Sequence, residues 1–84
     1  MARIEKLRAA FKECGGTFLW RDFVSLLSGI GCEPVNAGKT GGSRRKFRQR
    51  DTGRMIFMDE PHDGEMKPGM VRRLRDDLQQ RGEL

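Results

Sequence analysis

Apolar residues in this chain keep two different periods. Ile4, Leu7, Ala10 and Phe11 fall on one face at helical spacing with charges between them, which predicts a short amphipathic helix over residues 4–13. The paired glycines of "CGG" at 14–16 end it, and this first segment reads as an appendage to the core. In "TFLWRDFVSLLSGIG", Trp20, Phe23, Val24, Leu27 and Ile30 form a continuous apolar stripe, the clearest helix of the chain, with Gly31 as its stop. Near the C-terminus Lys67-Pro68 opens another helix. Met70 or Val71, Leu74 and Leu78 line its buried face, and Gly82 closes it.

Between the second and last helices the period changes to two. "EPVNAG" begins with a proline close by and suits an edge or opening strand. In "SRRKFRQ", Arg45, Phe47 and Gln49 share one face, and Arg44, Lys46 and Arg48 share the other. "RDTG" reads as a tight reversal. "RMIFM" is apolar enough for a strand buried on both faces or at the centre of the sheet. The order predicts an α+β sandwich: a small antiparallel three-stranded sheet with helices on one face, the other face free, and one extra N-terminal helix.

With 84 residues there is room for one domain and a thin core, and 36% hydrophobic against 35% charged residues suits a folded, water-facing chain. No apolar run approaches the roughly 18 residues of a membrane span, and the N-terminus lacks the apolar stretch of a secretory signal, so the expected location is the cytoplasm. Two cysteines without a CxxC pairing and a single histidine argue against a zinc site, and no cofactor or metal is expected. The net charge is +5, and its distribution matters more: Lys39, Arg44, Arg45, Lys46, Arg48, Arg50 and Arg54 stand against the single acid Asp51 in that stretch. A cluster of one sign concentrates a polyanion and releases its counterions on binding, so nucleic acid is the leading partner. A solvated basic face is the simpler alternative.

Gly38-Lys39-Thr40 has the tail of a nucleotide phosphate loop. The first glycine of G-x-x-x-x-G-K-[ST] would have to stand at Glu33, and a basic strand follows where a helix should start, which excludes that chemistry. The stretch reads instead as a glycine-rich loop delivering a cationic strand, with Lys39 as a phosphate contact.

"WRDFVSLLSGIGCEPV", then "GGSRRKF", then "PHDGEMKPGMVRRLRDDLQQRG" together resemble the HicA family of bacterial toxin–antitoxin toxins, small messenger-RNA interferases. The resemblance divides the chain into an N-terminal helical extension and linker, residues 1–16, and a HicA-like domain, residues 17–84. It implies a fold like that of a double-stranded-RNA-binding domain, messenger RNA as substrate and a HicB-like antitoxin as protein partner. Gly42, Ser43 and Phe47 match the Gly-Ser-His-x-x-Phe strand motif, Pro61-His62 and Gly64 the Pro-His loop, and Lys67 the basic start of the last helix. The family's catalytic histidine falls at Arg44.

Metal-free RNA cleavage proceeds by attack of the 2′-hydroxyl on the adjacent phosphate. It calls for a group that exchanges protons and for cations on the developing phosphorane. Histidine is the side chain that exchanges protons near neutrality, and His62 is the only one here. His62 and Arg44 are therefore the candidate catalytic residues, and Lys39, Ser43, Arg44, Arg45, Lys46, Arg48 and Lys67 the candidate RNA-binding ones. Arginine stays protonated and makes a poor base, so the alternative is a basic module that binds RNA without cutting it. A Glu60/Glu65 pair holding a divalent ion with Asp59 or Asp63 is a further, less favoured arrangement.

Overall fold

The computed structural model describes residues 3–35, 44–82 and 84. The elements run α1 (Arg3–Lys12), β1 (Phe18–Leu19), α2 (Trp20–Gly29), β2 (Cys32–Val35), β3 (Arg44–Gln49), β4 (Met55–Asp59), β5 (Glu65–Met66) and α3 (Pro68–Gln80). This is the expected α+β architecture, three helices with a small antiparallel meander in the order β2-β3-β4, and it is consistent with a fold like that of a double-stranded-RNA-binding domain.

Residues opposite one another in an antiparallel ladder point to the same face. Phe47 stands opposite Pro34 and Ile56, Gln49 opposite Cys32, and Arg45 opposite Met58. Cys32, Phe47, Gln49, Ile56 and Met58 are all buried, so this face meets the helices. The opposite face carries the row Val35–Lys46–Phe57 and the row Glu33–Arg48–Met55. It stays open, and Phe57 is 48% exposed.

The core joins Trp20, Phe23, Leu26 and Leu27 of α2 and Val71, Leu74 and Leu78 of α3 to the sheet. Trp20 reaches Phe47 edge-on at 6.4 Å between ring centroids and Phe23 at 5.9 Å, which fixes α2 across the central strand. Gln49 is the one buried polar residue among those described, and its Oε1 accepts from Arg81 Nη1 at 2.9 Å. Arg81 also donates to the Met55 carbonyl at 3.3 Å and pairs with Asp77, so the end of α3 is tied to both β3 and β4.

Three expectations change. "RMIFM" is neither central nor buried on both faces: β3 is the central strand, and β4 is an edge strand that buries Ile56 and Met58 while exposing Phe57. Its apolar outer residues hide the alternation. The first helix, expected as an appendage, places Phe11 fully inside the core, 5.0 Å from the Phe18 ring and 5.1 Å from Phe23. Finally, Phe18–Leu19, read within the second helical segment, and Glu65–Met66 pair as a second two-stranded sheet beside the expected three-stranded one.

Candidate nucleic-acid interface

The Pro-His loop is a constrained reversal. The Gly64 N–H donates to the Pro61 carbonyl at 3.3 Å, and Gly64 has φ of 79°, a left-handed conformation that a Cβ would strain. The Gly64 carbonyl in turn accepts from the Trp20 N–H at 2.9 Å, and the β1–β5 ladder follows immediately. The loop holding His62 is thus fastened to the first residue of α2. His62 is exposed and has no hydrogen bond to any described residue.

β4 leads directly into this loop, and its last residue, Asp59, stands opposite Arg44, the first residue of β3. The start of the basic strand and the Pro-His loop therefore share one end of the sheet. Arg45 links them: its Nε and Nη2 donate to Glu60 Oε1 at 2.9 and 2.8 Å, two residues before His62. Asp59, Glu60, Pro61, His62, Asp63, Lys67 and Met70 line a shallow cleft of about 440 Å³ at this place.

The cations differ in how they are held. Arg48 donates to Glu33 at 2.6 Å, which holds the Glu33 carboxyl below its ordinary range. Lys67 lies 3.4 Å from Asp63. The Asp63 carboxyl is held below its usual value first by the Glu65 N–H, at 3.2 Å, and then by Lys67. Lys46 has no acid paired to it among the described residues. Exposed pairs of this kind are weak and screened, so the carboxylates hold these cations only lightly. Lys39 and Ser43 lie outside the described residues. Among the described residues no group of three or more His, Cys, Asp or Glu is placed to hold a metal ion, and Glu60, set beside Glu65 in the divalent-ion arrangement, faces Arg45 instead.

Two residues absent from the sequence-based set border the same region, Phe57 and Arg73. They line a second groove with Met58 and Asp59. The signal for Phe57 was its position out of phase with Ile56 and Met58, which an unbroken apolar run conceals.

A three-stranded meander backed by helices on one face, with a cationic central strand starting beside a histidine loop, defines a small α+β domain consistent with a fold like that of a double-stranded-RNA-binding domain. Residues 20–82 match the family model described as HicA toxin of bacterial toxin-antitoxin. The chain belongs to the HicA toxin family, and membership implies an antitoxin partner. Neither a curated protein nor a solved structure matches the chain. Among the described residues no helix is long and apolar enough to cross a membrane.

Proposed function

We infer that this HicA-family toxin binds and cleaves messenger RNA in the cytoplasm, without a metal or cofactor, and that a HicB-like antitoxin restrains it. The observation carrying this reading is the junction of the first residues of β3 with the Pro-His loop, made by the Arg44–Asp59 register and the Arg45–Glu60 pair. RNA laid over that junction has its phosphate beside cations and its ribose beside an imidazole.

In the step itself the 2′-oxygen forms a bond to phosphorus and the bond from phosphorus to the 5′-oxygen breaks. His62 accepts the 2′-hydroxyl proton and passes a proton to the departing 5′-oxygen. The products are a 2′,3′-cyclic phosphate and a 5′-hydroxyl, with no other reactant. Arg44 and Arg45 neutralise the extra charge on the phosphorane, Arg45 exchanging Glu60 for phosphate. Ser43, Lys39, Lys46, Arg48 and Lys67 hold the flanking backbone.

The replacement of the family's motif histidine by Arg44 favours one second reading, an RNA-binding module that does not cut. Purified protein with single-stranded RNA in excess EDTA separates the two. Cleavage that leaves cyclic phosphate ends, fails on 2′-O-methyl RNA and is lost in His62→Ala supports the enzyme. RNA bound but intact at all protein concentrations supports the module.

A further inference from the structure

Phe57 is a large aromatic ring left exposed at the edge of the open sheet face, outside the junction described above. Its register partner on β3 is Lys46, about 5 Å away across the ladder. Phe57 also lines a shallow groove of about 260 Å³ with Met58, Asp59 and Arg73 of α3. An exposed ring with Lys46 beside it in the ladder and Arg73 lining the adjoining groove offers what an unpaired nucleotide uses: a flat apolar face and positive charge for its phosphates.

A protein partner fits this face less well. The cores of protein interfaces are depleted of charge, lysine in particular. Here, among the described residues, Lys46 stands between Val35 and Phe57 and separates the two apolar side chains.

We propose that Phe57 is a stacking platform for one unpaired base of bound RNA, with Lys46 and Arg73 receiving the phosphates on either side of it. This rests on the RNA-binding reading and deepens it. The substrate class becomes single-stranded RNA, because a base held in a duplex cannot present its face to the ring. It also gives a sequence-tolerant anchor, since every base has a π face.

The test is fluorescence anisotropy with a short, mixed-sequence, fluorescein-labelled 2′-O-methyl RNA, single-stranded and annealed to its complement, at several salt concentrations. Phe57 is exposed, so its variants keep the fold, and a thermal melt checks this. Phe57→Ala and Phe57→Leu weaken single-strand binding by roughly tenfold or more, and Phe57→Trp does not. Phe57→Ala leaves the salt slope unchanged, whereas Lys46→Gln lowers it by about 0.7. Wild-type binding to the single strand with an unchanged Phe57→Ala affinity overturns the stacking role while the RNA reading stands. No binding of either RNA by the wild type removes the RNA reading and the platform with it. Phe57→Leu that keeps RNA affinity and loses the antitoxin complex overturns the proposal in favour of a protein contact.

Discussion

Two carboxylates set the behaviour of the candidate site at the residue scale. Asp63 accepts from the Glu65 N–H and from Lys67, and both favour its charged form, so its folded value falls below the ordinary 3.8. A depressed carboxylate stabilises the fold above its unfolded value and loses that contribution as pH falls through the lower, folded one. The brace on the Pro-His loop therefore persists to below pH 3.8. The Glu65 amide in an NMR titration should report a midpoint under that value, and a midpoint at or above it would count against the brace. Glu60 works differently: it occupies Arg45, which the proposed mechanism assigns to the RNA phosphate. Glu60→Gln should tighten single-strand RNA binding severalfold, about the 0.2–1 kcal/mol of an exposed ion pair. An unchanged or weaker affinity would show that Arg45 does not meet phosphate.

Helix α1 is the element whose role the structure revises most. Phe11 is enclosed by Phe18 and Phe23, and Arg75 Nη1 from α3 donates to the Lys12 and Cys14 carbonyls at 3.4 and 2.8 Å, capping the helix end. A Cβ at Gly29 would come within 2.5 Å of Ile4, so α1 and α2 approach closely at that glycine. Phe11→Ala should cost about 3–5 kcal/mol in chemical denaturation, in a single transition. A loss below 1 kcal/mol, or a separate early transition, would make α1 an attachment after all. Arg75→Ala should cost about 1 kcal/mol and raise amide exchange in the last turn of α1 selectively.

The same elements show what the residue pattern could carry. The stripes of α2 and α3 are legible because one side of each helix is apolar and the other is not, and the inward side of β3 because Phe47 alternates with the cations Lys46 and Arg48. β4 is illegible in that way, since Phe57 and Met55 are apolar on the open side too. β1 and β5 are two residues each, too short for any period, and their pairing comes from the turn that brings Met66 back to Phe18. In the site, the Pro61–Gly64 motif announces a turn, but only the fold shows that it closes on Arg45 through Glu60. Arg73 joins Phe57 from a distant helix, a proximity no local pattern contains.

Taken whole, the molecule separates its functions by face. Helices cover one side of the sheet, while the other side and one end carry the cationic strand, the histidine loop and the exposed ring. A net charge of +5 with an open basic face predicts RNA affinity that falls steeply as salt rises. On the proposed function, the Pro-His loop turns the basic face into a nuclease. The most direct measurement is growth, with total messenger RNA followed in parallel, after tightly controlled induction of the wild type beside His62→Ala and Arg44→Ala at matched protein levels. Arrest and messenger-RNA loss are expected for the wild type, both relieved by His62→Ala and blunted by Arg44→Ala. Arrest and RNA loss undiminished in His62→Ala, or a wild type that leaves growth and messenger RNA intact, would contradict it.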